Sequence, residues 1–473
     1  MNKIVIITDP RQTRQWEHRL VARLVAAGHD VAVVHREASN GRHGGLDRVL
    51  KLEARRFGPS LASFAPPLPE SDASGAELAI DLTGAASFDG VQVLRLSYSG
   101  GDTFGAGIEA LLATGDLPEI VARLDGVAIG RAKPMFEDGP WLSRLSTSLL
   151  AAAVSLIEQS VARIAAGKAT PLPDAETAGR EVNGSFMRHY LPRLRASVAE
   201  RVRQKLRRRE FGWQVGYRRL TEGSRSGGDF IVLPDDGERF YADPFLVEHR
   251  GTVFLFVEEF PYATSKGIIS VAEMGPDGSF GRPRPVLEEP FHLSYPQVIP
   301  HSGTMFMIPE TSGARQVVLY RAEAFPDRWV RDSVLIADRD INDATLLAKD
   351  GRFWLIGTER RDGGSQSDTM VAFVADDLRG PYRPHPLNPL VIDRAAARPG
   401  GAFFRDGERL LLPLQDGTAR YGGGLGVAEV VSLRDDEAEF GEPQPITAMV
   451  DGRERGIHTL NRAGNLEVVD WFV

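Results

Sequence analysis

Four polar residues recur at matching places in the second half of this 473-residue chain: Asp243, Asp343, Arg398 and His458. Each opens an apolar strand that reaches a turn glycine and returns as an aromatic or aliphatic strand ending near an acid. The copies read YADPFLVEHRGTVFLFVEEF, YPQVIPHSGTMFMIPET, NDATLLAKDGRFWLIGTE, RPGGAFFRDGERLLLPLQD and IHTLNRAGNLEVVDWF, with turn glycines Gly251, Gly303, Gly351, Gly407 and Gly464. The second strand of a hairpin runs back beside the first, so its end lies next to the first strand's start. Asp243 is thus expected near Glu258 and Glu259, Tyr295 near Glu310, Asp343 near Glu359, and Arg398 near Gln415 and Asp416. Side chains alternate along a strand, so only one of Glu258 and Glu259 can face the shared mouth, and Glu259 is assigned there. Converging carboxylates accept hydrogen bonds from sugar hydroxyls and act as general acid or base. Taken singly, an Asp before Pro is as readily a strand-entry turn, and a strand-ending Glu a solvated side chain. Recurrence at equivalent places carries the argument.

A spacing of roughly 50 residues is the length of one four-stranded propeller blade. Five copies predict a five-bladed β-propeller over residues 212–473, with FGWQVGYRRL as a strand closing the ring against the last blade. Residues 1–185 read differently. A strand at Lys3–Ile7, an amphipathic helix at Gln15–Ala27, Gly28 and a strand at Val31–His35 open an α/β sheet. Further strands end at Asp81 and Ser97, and helical periodicity returns over 142–166. No GxGxxG follows the first strand; Gly100, Gly101 and Gly105 form an ordinary turn or a phosphate cradle. Residues 186–211 predict a basic amphipathic connector helix. From Arg188 to Arg219 eleven Lys and Arg residues face only Glu200 and Glu210. Such a helix either docks its apolar stripe and solvates its arginines, or approaches an anionic membrane or phosphorylated lipid carrier. The expected fold is therefore multidomain, α/β followed by all-β.

The net charge of −8 gives no reason to expect nucleic acid as a partner, and the absence of cysteine excludes a disulfide framework and thiolate metal ligation. The short apolar run at the start reads as a strand, and no stretch approaches the ~20 apolar residues of a membrane span. Both suggest a cytoplasmic protein with at most a peripheral membrane contact. The scattered histidines predict no resident metal and no cofactor, though carboxylates meeting at a ring centre suit a calcium ion or a water.

The stretch IDLTG through RLSYSGGDTFGAGIEALLATGDLPEIVARLDG resembles the central region of formyltransferase-like domains, with a Rossmann-like layout of strand, glycine-rich loop, helix and strand. The catalytic Asn, His and Asp of that family find no match in SYSGGDTF or LDGVAIG, so the resemblance implies a degenerate domain for packing or for binding a sugar nucleotide or partner. YADPFL followed by FLFVEEF resembles five-bladed glycosidase propellers of the arabinanase and invertase type. The set YADPF, KGIISVAE, HLSYPQV, IPETS, DRW, DATL, HPLNPLV, ARPGG and QDGTARYGGG resembles more closely the glucosamine inositolphosphorylceramide transferase N-terminal-domain family. The glycosidase resemblance implies Asp243 as base and Asp343 as the residue that holds substrate and tunes pKa, but blade four offers Arg398 where those enzymes carry an acid. Glu310 is the nearest substitute. A phosphate-activated donor needs cations instead of a proton donor, and Arg398, His458 and Lys266 can supply them. Three readings follow: a glycosyltransferase of cell-surface polysaccharide or glycolipid biosynthesis with a sugar nucleotide or sugar phosphate donor; a glycoside hydrolase with Asp243 as base and Glu310 as acid; and a non-catalytic glycan-binding propeller. Glu259, Tyr295, Glu359, Gln415 and Lys266 complete the expected substrate-binding set.

Overall fold

The computed structural model describes residues 3–38, 44–84, 90–99, 101–137, 139–173, 186–206, 212–220, 229–450 and 452–473. Gly100 and residues 207–211 of the expected connector lie outside them. The chain divides into two compact units. Unit 1 is Met1–Arg203 with Arg361–Ser365, and unit 2 is Gln204–Arg360 with Gln366–Val473.

Unit 1 carries β1 (Lys3–Thr8), α1 (Gln15–Ala26), β2 (Asp30–His35), α2 (Gly44–Phe57), β3 (Leu78–Asp81), β4 (Gln92–Tyr98), α3 (Phe104–Thr114), β5 (Ile120–Leu124), β6 (Val127–Ala132), α4 (Leu142–Ala165) and α5 (Phe186–Leu206). The strands form one sheet in the order β2-β1-β3-β4-β5-β6. The pairs among the first four are parallel, and the β4–β5 and β5–β6 pairs are antiparallel. The apolar runs Ile4–Ile7 and Leu78–Ile80 are buried, as a parallel strand covered on both faces requires. By length and composition α4 is apolar enough to cross a membrane, which the sequence reading missed; however, 78% of its apolar window is buried within the protein, as in a core helix. Its first two N–H groups, on Leu142 and Ser143, donate to the buried carboxylate of Glu53, an anion placed where the helix dipole favours it.

Unit 2 is a five-bladed β-propeller. Its sheets follow one another along the chain, each led by an inner hairpin: Arg239–His249 with Thr252–Pro261, Ser294–His301 with Thr304–Glu310, Ile341–Lys349 with Arg352–Glu359, Phe404–Asp406 with Arg409–Asp416, and Leu460–Ala463 with Leu466–Phe472. The fifth sheet takes its third strand from the other end of the unit: Trp213–Arg219 pairs antiparallel with Leu466–Phe472. The ring thus closes with the strand expected for it. Between neighbouring blades lie apolar clusters. Ile308, Leu319, Ile341, Leu355 and Val371 pack blade two against blade three, and Ile356, Met370, Leu412 and Ala428 pack blade three against blade four.

The innermost strands of the first three blades share one irregularity. Their pairing slips between Glu258 and Phe256, between Ser294 and Gln297, and between Asn342 and Thr345. At each slip sits a residue in the left-handed region: Asp243 at φ 48°, Tyr295 at 49° and Asp343 at 50°. Such bulges re-aim a side chain out of the regular alternation, and a non-glycine residue held there costs of order 1–3 kcal/mol.

Candidate functional site

Polar side chains from all five blades meet at the bulges of the first three. Asp243, Glu258, Glu310, Asp343, Arg398, Gln415, His458 and Asp470 are all buried. Arg398 Nε donates to Asp343 Oδ2 at 2.6 Å, its Nη1 to Ser367 Oγ at 3.2 Å, and its Nη2 lies 3.6 Å from Glu310 Oε2. Gln415 Nε2 donates to the same Asp343 oxygen at 2.7 Å and to the Pro399 carbonyl at 2.8 Å. On the other side His458 Nδ1 stands 3.5 Å from Asp243 Oδ1 and 3.3 Å from Asp470 Oδ2. Asp470 also accepts the N–H of Asp243 at 2.9 Å and both the N–H and hydroxyl of Thr459.

One arrangement occurs twice. The N–H of left-handed Asp243 donates to Asp470, and that of left-handed Asp343 donates to Glu310 at 3.1 Å. In each case a carboxylate on the preceding blade holds a strained aspartate.

The electrostatics follow from burial. Desolvation, then the charge of Asp343, raises Asp243 well above the usual carboxylate range. Desolvation and the charge of Glu310 do the same to Glu258. Glu310 is pushed up to about 8 by burial and by Asp343, with Arg398 opposing. For Asp470 burial acts in the same upward sense, but His458 and the N–H of Asp243 outweigh it and hold the carboxyl below its ordinary value. Three buried atoms in the cluster have no hydrogen-bond partner: Asp243 Oδ1, Asp343 Oδ1 and His458 Nε2. Buried polar atoms are normally satisfied, so these mark where a ligand's hydroxyls or a water would complete the set. One ligand atom from each of Asp243, His458 and Asp470 falls within 4.8 Å of the others, a trio able to hold a cation.

Aromatic rings border the cluster. Trp213 lies 4.4 Å from the His458 ring, with Tyr421 and Phe472 at 6.4 and 5.5 Å from Trp213. Arg398 sits over the Tyr421 ring at 5.3 Å. The loop carrying Tyr421 approaches closely: a Cβ on Gly422, at φ +66°, would lie 2.0 Å from Trp213 Cη2. Glycine is required there for space and for backbone.

Several sequence assignments need correction. Glu259 does not join the centre; its carboxylate is bound by Arg239 and by the Ser270 hydroxyl, while Glu258 faces the other acids. Glu359 pairs across the hairpin with Ile341 and lies 3.5 Å from Arg339, whereas Thr358 holds the position equivalent to Glu258 and Glu310. Lys266 is engaged by Glu288 and the Glu289 carbonyl. Tyr295 is fully buried, and its hydroxyl bridges the Thr345 hydroxyl and the N–H of Gly401, tying blades together rather than facing a substrate. A usable signal existed. Asp243, Tyr295 and Asp343 each stand eight residues before their turn glycine, and Glu258, Glu310 and Thr358 each seven after it. Asp470, Trp213 and Tyr421 were missed altogether.

A five-bladed propeller whose blades converge on carboxylates, an arginine and a histidine is the class that fold and site define. Residues 233–468 match the family described as glucosamine inositolphosphorylceramide transferase 1, N-terminal, the family whose motifs the sequence resembles. Glucosamine inositolphosphorylceramide transferase 1 of Oryza sativa subsp. japonica is 30% identical over 237 residues, covering 49% of this chain and 31% of that protein. The Arabidopsis thaliana protein of the same name is 32% identical over 203 residues, covering 42% and 26%. The match thus spans less than a third of these relatives' own length. Among solved structures, a family 117 glycoside hydrolase, Zg3597, from Zobellia galactanivorans shows 15% identity and a TM-score of 0.36, covering 55% of this chain and 90% of that one. RS223-Beta-xylosidase gives 15% and 0.36, covering 46% and 81%.

Proposed function

We propose that the propeller centre transfers a sugar from a phosphate-activated donor to an acceptor hydroxyl. The observation that carries this reading is what sits on the two bulge aspartates: the His458 imidazole beside Asp243, and the Arg398 guanidinium on Asp343. Once its raised carboxyl has ionised, Asp243 has an unpartnered oxygen with which to take the acceptor's proton. Arg398 and His458 are the groups to meet donor phosphate, and Gln415 with Asp343 would hold sugar hydroxyls. The name of the matched relatives, glucosamine inositolphosphorylceramide transferase 1, agrees with a carbohydrate or glycolipid substrate. Incubating the protein with a panel of nucleotide sugars and lipid-linked acceptors tests it; a glycosylated acceptor with release of nucleotide is expected, and inertness toward every donor would sink it.

Hydrolysis is the second reading, favoured by one observation. Glu310, pushed up to about 8, keeps a proton at neutral pH as a general acid must. Release of free sugar from oligosaccharides, without acceptor, would select it.

Two finer parts belong to the same proposal. The parallel β2-β1-β3-β4 order supports a formyltransferase-like ancestry for unit 1. Exposed Arg188 and Arg195 beside exposed Met187 and Leu191 support contact of the start of α5 with an anionic membrane or lipid carrier; the expected segment's end, Trp213–Arg219, is instead the closing strand of the fifth blade.

A further inference from the structure

Unit 1 contains a cavity of about 400 Å³ that the propeller chemistry does not use, within the size range of small-molecule sites. Thr8 and Asp9 from the end of β1 line it, as do Asp81 to Gly84 from the end of β3. Strand order reverses between these two: β2 lies on one side of β1 and β3 on the other. Ligands of open α/β sheets bind in the crevice at the carboxyl ends of strands where such a reversal falls.

The lining indicates the ligand. Arg95 on β4 and Arg123 on β5 are direct cross-strand partners, and both face the cavity. Like charges placed opposite each other in a sheet repel; Arg123 Nη1 also donates to the Gly126 carbonyl at 3.2 Å, and an anion shared by the two guanidinium groups would offset the repulsion between them. Asp81 fixes the nearer fork, accepting Arg95 Nε at 2.8 Å. Ser97, two residues along β4 from Arg95 and so on the same face, has a buried Oγ with no hydrogen-bond partner. Thr103 caps the start of α3 at the same wall, accepting the N–H of Ala106 at 3.2 Å. Trp16 and Phe104 also line the cavity and offer apolar surface suited to a planar base. The carboxylate of Asp9 is already engaged by the N–H groups of Arg11 and Ala38.

We propose that this cavity binds a nucleoside phosphate, with the phosphate at Arg95, Arg123 and Ser97 and the base among the aromatic rings. Calorimetric titration of the full chain with AMP, GMP, CMP and UMP, with the corresponding nucleosides and with inorganic phosphate, tests it. At least one monophosphate should bind saturably below about 1 mM, and at least tenfold more tightly than its nucleoside. Ser97→Ala should leave thermal stability unchanged or higher, because an unpartnered buried hydroxyl contributes nothing to the fold. It should weaken nucleotide binding about tenfold, the worth of a hydrogen bond to a charged group. Arg123→Gln should weaken it at least as much, while Asp243→Asn in the propeller should leave it unchanged. Absence of saturable binding by every monophosphate overturns the proposal. So does binding that survives both Ser97→Ala and Arg123→Gln, or that disappears with Asp243→Asn. Should Arg123→Gln fail to fold, Ser97→Ala alone decides.

Discussion

The carboxylate of Glu310 and the backbone N–H of Asp343 are joined across a blade boundary at 3.1 Å. The same glutamate approaches Arg398, which itself grips Asp343, so one side chain braces both the backbone and the counter-ion of a strained aspartate. Glu310, Asp343 and Arg398 therefore behave as one unit, and single substitutions there are expected to be non-additive.

Stability should record this through pH. Glu310 titrates at about 8 in the folded protein against an ordinary 4.5. Between these values the folded state holds a proton that the unfolded chain has released, so the group's contribution to stability falls as pH rises from 4.5 to 8. Chemical denaturation across that window should show the decline, and Glu310→Gln should flatten it. An unaltered slope in the variant would remove Glu310 from the account.

Asp243→Asn should abolish turnover while leaving the melting temperature almost unchanged. Asparagine is among the few residues that tolerate the left-handed backbone at φ 48°, and its amide fills the same space. Loss of a general base costs about 10²–10⁴-fold in rate. Steady-state kinetics beside a thermal melt check both halves, and full activity would refute the site.

Replacing Arg398 by Met should destabilise the propeller by about 3–5 kcal/mol, because it leaves the buried carboxylate of Asp343 without its charge partner. Urea unfolding measures the effect. The double variant Arg398→Met with Asp343→Leu should recover part of the loss.

Asp470→Asn should lower activity with a smaller stability cost, about 1–3 kcal/mol for a weakened buried acceptor. The residue reaches the chemistry through Asp243 and His458, so the pH dependence of turnover should shift as well as its rate. A rate loss with an unmoved pH profile would make Asp470 purely structural.

Gly422→Ala should displace Trp213, since the added methyl meets the indole at 2.0 Å, and the left-handed backbone adds about 1–2 kcal/mol. A shifted tryptophan emission spectrum and weaker sugar binding are the expected readouts.

The propeller was legible because its hairpins repeat with a turn glycine in each, and Asp243, Asp343 and Arg398 stood out as polar residues at the starts of the first strands. Alternation showed that only one of Glu258 and Glu259 could face the centre without saying which, because the bulge at Asp243 that sets the pairing opposite them leaves no local motif. Asp470 escaped because the fifth hairpin is shorter: Asp470 stands six residues after Gly464, where Glu258 stands seven after Gly251. Trp213 and Tyr421 lie outside the hairpin repeat, and only ring closure and the Gly422 loop bring them to His458. The cavity of unit 1 had no signal in the sequence: neither Gly101 nor Gly105 lines it. Its arginine pair is a cross-strand relation that no local motif records.

Ring closure has a consequence in time. Trp213 is made before any blade, yet it reaches His458 only once strand Leu466–Phe472 has paired with Trp213–Arg219. The N–H of Asp243 waits for Asp470, 227 residues later. A ribosome-bound chain, or one cut short before residue 466, already holds Asp343 and Arg398 but leaves Asp243 without its brace. The bracing of Asp243 by Asp470 and the seating of Trp213 on His458 thus form only when the ring closes.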